Sequence, residues 1–144
     1  MPQSVCRIRQ AINEDSGVIF SMAKALATTF VLEITSFKES FDSLEKDQTS
    51  RLLVAEDGSG LIVGYLLGFT HPTLFANGTV GWIEEMYVRD DARRSGVGTQ
   101  LARAFEEWAA REGATLIALA TRRATTFYLA MGFEESAAYF RKLL

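Results

Sequence analysis

The sequence has almost none of the side chains from which proteins build disulfide bonds and zinc sites. Its 144 residues include one cysteine, Cys6, and one histidine, His71. A single cysteine cannot form an intrachain bridge, and this pair supplies too few ligands for the usual zinc site. We therefore expect no metal, and we interpret Cys6 as a small apolar strand residue. The scarcity of cysteine also favours a reducing, cytoplasmic location.

Long apolar runs and an excess of basic charge are missing as well. No stretch of about 20 residues stays apolar enough to span a bilayer, and residues 1–10 lack the apolar core of a secretory signal. Lysine and arginine number 15 against 18 aspartates and glutamates, a formal net charge of −3. Without a basic surplus, no overall field attracts nucleic acid or an anionic membrane. We expect neither as a partner.

What is present is the composition of an ordinary globular domain. Apolar residues make up 48% of the chain and charged residues 23%, which argues against disorder. A chain of this length has the usual size of one domain. No repeat, low-complexity tract or linker interrupts it, so we predict a single domain over residues 1–144.

The first half of the sequence predicts helices and antiparallel strands. Apolar positions from Asp15 to Phe30 recur at helical spacing, and a weaker helix is expected from Ser36, as its N-cap, to about Asp47. Strands are indicated by apolar–polar alternation and by apolar runs that end at turn residues. These strands are 4–10, 52–55, 61–69 and 80–88, and the turn 57–60 joins the middle two as a hairpin.

The last third predicts a parallel crossover. A clear amphipathic helix begins at Gly96 and Gly98 and ends before Gly113. Residues 115–120 are continuously apolar, which is typical of a strand covered on both faces. Strand, helix and buried strand in this order form a parallel βαβ unit. With a short helix near 123–131 and an alternating tail, the fold class is mixed α/β: antiparallel in front, parallel behind.

The two glycines at the start of this helix indicate an anion site. The first N–H groups of a helix have no internal acceptor and lie at the positive end of its dipole. Gly96 and Gly98 let the backbone approach a ligand closely, and Arg93 and Arg94 add charge suited to phosphate. A loop that merely needs glycine to turn is the alternative. Thr99 excludes a Walker A loop, and the missing third glycine excludes the dinucleotide fingerprint.

Two segments in this order resemble a known family. Residues 93–98, Arg-x-x-Gly-x-Gly, resemble the acetyl-CoA motif of the GNAT acetyltransferases. Residues 124–133, with Phe-Tyr and then Gly-Phe, resemble the family's second signature. The resemblance is clearest over 80–143. It implies the GNAT-type acyltransferase fold, in which two central parallel strands, here 80–88 and 115–121, splay apart around the pantetheine arm.

The resemblance also implies acetyl-CoA as co-substrate and assigns residues to it. The pantetheine arm would bond to the backbone of the first splayed strand, and the pyrophosphate would lie on the amides of the helix start. Thr121 stands where the family often has asparagine, so it offers fewer groups to a pantetheine amide. The implied cofactor-binding residues are Met86, Tyr87, Val88, Arg93, Arg94, Ser95, Gly96, Val97, Gly98, Thr99 and Thr121.

Acetyl transfer to an amine needs a base, because an alkylamine with a pKa near ~10 arrives protonated. Glu84 and Glu85 lie in an otherwise apolar strand, and as neighbours they are expected on opposite faces of the sheet. Glu84 matches a position that is acidic in many family members. It is therefore the preferred base, acting through water, with Glu85 second; a bulge would reverse the choice. Tyr128 matches the family's general acid, and a core tyrosine is the alternative.

The function implied is N-acetyltransfer to a primary amine. Direct attack in a ternary complex is expected, because the sequence has no Cys–His pair for a covalent intermediate. A small-molecule acceptor is favoured; the alternatives are a protein N-terminal or lysine acetyltransferase and a non-catalytic acyl-CoA-binding module. Dimers are common in the family, which leaves a homodimer open. An aromatic, mildly acidic acceptor entrance is expected from stretches 29–47 and 69–78, which contain Phe30, Glu33, Phe37, Phe41 and Phe75.

Overall fold

Five strands and four helices follow one another in the computed structural model, which describes residues 6–144. Two single 3-10 turns, Asn13–Asp15 and Asp90–Ala92, lie between them. The strands and helices are β1 Arg7–Gln10, α1 Ser16–Leu26, α2 Ile34–Lys46, β2 Ser50–Glu56, β3 Ile62–Pro72, β4 Thr79–Val88, α3 Val97–Arg111, β5 Ala114–Leu119 and α4 Thr125–Ala130.

The strands form one mixed sheet in the order β1-β2-β3-β4-β5. The first four pair antiparallel; short connections join β2 to β3 and β3 to β4, whereas α1 and α2 lie between β1 and β2. Strand β5 pairs parallel to β4 after the crossover through α3. This arrangement confirms the mixed α/β fold class, with an antiparallel front half and a parallel crossover behind it.

Helices cover both faces of the sheet and divide the core in two. On one face, Phe105 of α3 is fully buried against β3 and β4. A Cβ on Gly68 would lie only 2.2 Å from the Phe105 ring, so the glycine is what allows α3 to dock this closely. On the other face, Ile19 of α1 and Phe41 of α2 pack around Tyr65. Helix α3 therefore covers one face of the sheet, and α1 and α2 cover the other.

The parallel strands separate part-way along β4. Their register runs from Thr79 opposite Ala114 to Ile83 opposite Leu119, where β5 ends while β4 continues to Val88. We call this point the fork; beyond it, no strand within residues 6–144 pairs with this side of β4. Within residues 6–144, however, β5 is the outer strand of the sheet and is only partly covered. The prediction of a strand buried on both faces is therefore wrong.

Several boundaries differ from the sequence expectations. The first helix ends at Leu26, and α2 begins at Ile34 with Glu33 as its N-cap in place of Ser36. The alternating tail pairs with no strand in the described part of the chain, and Phe140 is 87% exposed. Residues 4 and 5 of the first predicted strand lie outside the described residues. None of the helices described is long and apolar enough to cross a membrane.

Candidate functional site

The loop between β4 and α3 ends in a helix start with free N–H groups. Gly96 is the N-cap of α3 at φ +87°, a left-handed conformation that glycine adopts without strain, and Arg94 has φ +64°. The first helical hydrogen bond runs from the Gln100 N–H to the Gly96 carbonyl at 3.0 Å. The N–H groups of 97–99 therefore have no acceptor inside the helix. We call residues 93–99 the α3 turn.

The side chains of the α3 turn hold the loop itself. Arg93 Nε donates to the Val88 carbonyl at 3.0 Å, and its Nη1 lies 2.7 Å from the carboxylate of Asp90. The Ser95 hydroxyl donates to the Ala92 carbonyl. Because Arg93 and Ser95 are engaged in shaping the loop, an anion at this position would be met by backbone N–H groups, the helix dipole and the exposed side chain of Arg94, which forms no ion pair within residues 6–144.

The last residues of β4 present one unpaired edge. Met86, Tyr87 and Val88 pair with β3 on one side. Beyond the fork, no strand among residues 6–144 pairs with their other side, because the β5 register stops at Ile83. Peptide groups of an extended ligand could therefore bond to this edge as a further strand would.

Helix α4 brings Phe127 next to the α3 turn, and Tyr128 packs on Phe127. A Cβ on Gly98 would lie 3.2 Å from the Phe127 ring and 3.8 Å from Met86 Cε. Tyr128 is 8% exposed and packs edge-to-face on Phe127 and Phe133, with ring centroids 4.9 and 5.5 Å away. Burial raises the pKa of Tyr128 to about 12, so its phenol is neutral at physiological pH.

Thr121 lies between the end of β5 and α4. Its hydroxyl oxygen accepts a hydrogen bond from the Ala124 N–H at 3.0 Å, directly before the first residue of α4. The side chain thus supports the loop that aims α4 at the α3 turn, and its O–H remains available as a donor.

A β-bulge in β4 changes the direction of the two glutamates. Leu67 pairs with Glu85 but Gly68 pairs with Ile83, which leaves Glu84 as the extra residue on β4. Ile83 packs in the core against α3, whereas Glu84 and Glu85 both line a cavity on the opposite face. The expectation that they point to opposite faces is therefore wrong, because it assumed an unbroken strand.

This cavity, which we call the glutamate cavity, has a volume of about 470 Å³ and lies between α2 and the sheet. Stretches 29–47 and 69–78 both contribute to it, with Glu39 and Phe69 among the lining residues, but the four phenylalanines named from the sequence do not line it. Phe37 and Phe41 pack on each other, and Phe30 and Phe75 are exposed outside the cavity. Its lining residues are Glu39, Ser40, Ser43, Leu44, Leu67, Phe69, Glu84 and Glu85.

The carboxylates of the glutamate cavity are held differently. Glu85 Oε1 accepts a 2.7 Å hydrogen bond from the hydroxyl of Tyr65, which is 1% exposed. Glu84 is exposed, and its Oε2 accepts a 2.5 Å hydrogen bond from the indole N–H of Trp82. No lysine or arginine of residues 6–144 lines the cavity. The electrostatic surroundings therefore favour a cation over an anion.

Sequence reasoning missed Glu39 and Tyr65. Glu39 and Ser43 are four residues apart on α2, a spacing that places both on one face of the helix. That spacing could have marked a polar face over the sheet. Tyr65 stands in an apolar strand with no such signal. In the part of the chain that is described, no cluster of three or more His, Cys, Asp or Glu side chains is placed to hold a metal ion.

Comparison with known proteins decides what kind of molecule carries this site. The family model described as "Acetyltransferase (GNAT) family" matches residues 19–133. The chain belongs to the GNAT acetyltransferase family. Its GNAT fold and the acetyltransferase activity that goes with it agree with the resemblance of residues 93–98 and 124–133.

Curated relatives of this GNAT protein act on amines. An aminoalkylphosphonate N-acetyltransferase of Salmonella typhimurium is 30% identical over 146 residues, with 97% of this chain and 92% of that protein covered. An aminoglycoside N(6')-acetyltransferase type 1 of Klebsiella aerogenes is 37% identical over 90 residues. That second match spans 60% of this chain and 59% of the relative, which is less than two thirds of its length.

Solved structures share the fold over nearly the whole chain. A protein from Bacillus halodurans, described as a transcriptional regulator, superposes with a TM-score of 0.87 at 26% identity, covering 97% of this chain and 100% of that one. The GNAT architecture described above is therefore common to proteins whose names differ widely, and the acceptor has to be argued from the site itself.

Proposed function

We propose that this GNAT protein transfers the acetyl group of acetyl-CoA to a primary amine of a small molecule. The amine attacks the thioester directly in a ternary complex. One observation carries the proposal: the free edge of β4, which begins at the fork, adjoins the glutamate cavity at Glu84. Relatives named for the acetylation of aminoglycosides and aminoalkylphosphonates support an amine as acceptor.

The chain's residues fit acetyl-CoA, which supplies an activated acyl group when it is bound. The N–H groups of 97–99 would hold the pyrophosphate, and Gly98 leaves them accessible because it has no side chain. The amides of the pantetheine arm would bond to the edge of 86–88, where the Val88 carbonyl is already engaged by Arg93 Nε and the other outward backbone groups are available. A backbone N–H of the same edge would stabilise the negative charge that develops on the carbonyl oxygen.

Glu84 acts as the base in this proposal. It is the extra residue of the bulge, it lies one position past the fork, and its carboxylate is exposed to the cavity. Only Oε2 is engaged by Trp82, so Oε1 is available to accept the ammonium proton through a bridging water. The neighbouring Glu85 is tied to Tyr65 and is left for binding.

Tyr128 assists the leaving sulfur. Its hydroxyl has no hydrogen-bond partner within residues 6–144. With a pKa of about 12 it holds its proton more tightly than a thiol with a pKa near ~8.5 does. Its main contribution is therefore a hydrogen bond to the sulfur as the C–S bond breaks and the N–C bond forms, with the final proton of the thiol exchanged with solvent.

The dimensions of the glutamate cavity support a small acceptor. Small-molecule sites in proteins enclose about 300–1,000 Å³, and this cavity of about 470 Å³ lies in that range. Residues of helix α2 line it together with the sheet, and it is open to solvent, so the acceptor would bind in an open cleft beside the helix.

A thiol-release assay tests the function. Acetyl-CoA is supplied with alkylamines, diamines, aminoglycosides, amino acids and peptides, and the appearance of free CoA is followed. We expect turnover with small amines, and initial-rate lines that intersect when both substrates are varied. Parallel lines would contradict direct attack. Acetyl-CoA binding without transfer to any of these acceptors would favour a binding module instead.

A further inference from the structure

Tyr65 is the most deeply buried polar side chain next to the glutamate cavity. It is 1% exposed in the cluster beneath α1 and α2, which is formed with Ile19 and Phe41. A buried phenol requires a hydrogen-bond partner, and its partner is Glu85 Oε1 at 2.7 Å. Burial, the nearby carboxylate and this hydrogen bond raise the pKa of Tyr65, so the phenol stays a neutral donor.

The strand register makes this contact rigid. Tyr65 is paired with Tyr87, and Leu67 with Glu85, so Tyr65 and Glu85 are diagonal neighbours on one face of the sheet. The buried end of the pair cannot move without disturbing the core. Glu85 is therefore held with its carboxylate at the cavity wall, where Oε1 is engaged and Oε2 accepts no hydrogen bond from residues 6–144.

The cavity thus holds more carboxylates than proton removal needs. Glu84 suffices as the base, yet Glu85 lies beside it on the same face because of the bulge, and Glu39 faces them from α2. A carboxylate that is fixed in place and uncompensated by any lining lysine or arginine attracts a cation strongly. The reacting amine arrives as an ammonium ion but gives its proton to Glu84 before it attacks. A second cationic group of the acceptor keeps its charge, so it is the group that Glu85 can hold throughout the reaction.

We propose that Glu85, positioned by Tyr65, binds a second cationic group of the acceptor, so that the protein selects amines that carry two positive charges. The proposal rests on the proposed acetyl transfer and names its substrate class. Glu85 is then a specificity-determining residue and Tyr65 a positioning residue that acts through it. An acceptor with one amine and one anionic group, such as an aminoalkylphosphonate, would be disfavoured by the same carboxylates.

Matched acceptors test the selection by binding and by turnover. Butylamine, the diaminoalkanes with three to six methylene groups, and 2-aminoethylphosphonate are titrated by ligand-observed NMR onto the protein with CoA bound. Their kcat/KM values with acetyl-CoA are measured in parallel. For the best diamine, after correction for its two equivalent amines, we expect at least tenfold tighter binding and tenfold higher kcat/KM than for butylamine. The phosphonate should be the weakest. Equal values for diamine and monoamine would overturn the proposal.

Variants test which residues are responsible. E85Q should lower the diamine-to-butylamine ratio of kcat/KM roughly tenfold, and Y65F should lower the same ratio several-fold. In the E85Q background, Y65F should change the ratio no further, because Tyr65 acts only through Glu85. The exposed residues Glu107 and Tyr139 supply the matched controls E107Q and Y139F, which should leave the ratio unchanged.

Two results would count against the proposal, and a third would separate it from the proposed function. A diamine preference that survives E85Q would place the second cation elsewhere. A Y65F effect that is equal for both acceptors would reduce Tyr65 to a structural role and overturn its positioning function. Diamine-selective binding without acetyl transfer would contradict the proposed function while supporting this inference, so the two failures are distinguishable.

Discussion

The α3 turn and the glutamate cavity are built on different principles. In the α3 turn the groups offered to a ligand are backbone N–H groups, and the side chains of Arg93 and Ser95 shape the loop. In the glutamate cavity the groups offered are the side-chain carboxylates of Glu39 on α2 and of Glu84 and Glu85 on β4. The first region is thus specified by a short local motif and the second by long-range packing. A cofactor site can therefore stay constant while the acceptor site changes.

The largest expected effect comes from a substitution that disrupts the α3 turn and leaves the glutamate cavity intact. Gly98→Val should abolish CoA binding, because a side chain there covers the helix N–H groups and its Cβ lies 3.2 Å from Phe127. Calorimetric titration with CoA measures the loss, and circular dichroism checks the fold. Gly58→Val in the β2–β3 turn is the matched control, since a Cβ at Gly58 meets nothing within 4 Å. Unchanged affinity in Gly98→Val would disprove the phosphate assignment.

The next largest effect comes from a substitution in the glutamate cavity that leaves the α3 turn intact. Glu84→Gln should lower kcat/KM by about a hundredfold near neutral pH, the range of a lost general base, and should leave CoA affinity as it is. The loss should shrink at high pH, where the acceptor is already a free amine. Glu85→Gln is the control on a monoamine acceptor. If it shows the larger, pH-dependent loss, the roles of the two glutamates are exchanged.

Tyr128→Phe is expected to act where the two regions meet. The ring packing against Phe127 and Phe133 is retained, so CoA affinity should hold within a few-fold. Turnover should fall by one to two orders of magnitude, roughly 1.4–2.7 kcal/mol of transition-state stabilisation. A donor with a more acidic thiol should narrow the gap to wild type. Unfolding of Tyr128→Phe would instead indicate that its role is packing.

The smallest effect is on stability: the buried tyrosines Tyr65 and Tyr128 should make the free energy of unfolding depend on pH. An unfolded tyrosine ionises near pH ~10. In the folded protein the pKa of Tyr128 is raised to about 12 by burial, and the pKa of Tyr65 is also raised well above its usual value. Above pH ~10 the unfolded state binds fewer protons, so the free energy of unfolding falls as pH rises, by about 1.4 kcal/mol per pH unit for each residue. Urea unfolding at several alkaline pH values measures this slope.

Variants assign that slope to its two sources. Tyr65→Phe and Tyr128→Phe should each remove about half of the slope just above pH ~10, because each removes one retained proton. Tyr139→Phe, at a position 62% exposed, is the control and should leave the slope as it is. A full slope in Tyr65→Phe would mean that the Tyr65 phenol is not kept neutral by its surroundings.

Much of the fold and of the α3 turn was predictable from the sequence, because the signals are local. The amphipathic pattern and the glycines predicted α3 within two residues of its observed ends, Val97 and Arg111. The apolar patterns predicted β2, β3 and β4 in order, and the turn at Gly96 was expected where it occurs. Each of these features depends on residues within one or two turns of each other.

The glutamate cavity was not predictable in the same way. Nothing in the run from Trp82 to Val88 marks a bulge, since its origin is the pairing of β4 with β3. Tyr65 meets Glu85 across 20 positions of sequence. The apolar run of β5 predicted a buried strand. In the structure β5 is an outer strand of the sheet, so its apolar side chains are only partly covered. The roles of the site residues themselves stay predictions until the variants are measured.

The bulge at Glu84 also bears on how the acceptor could change over evolution. Removal of this one codon would leave Ile83, Glu85 and Met86 in regular alternation, with a single glutamate on the cavity face and the register of 86–88 intact. Insertion restores the second carboxylate. A lineage could therefore change the charge presented to its substrate by the gain or loss of one residue, with the cofactor-binding half of the protein left as it was.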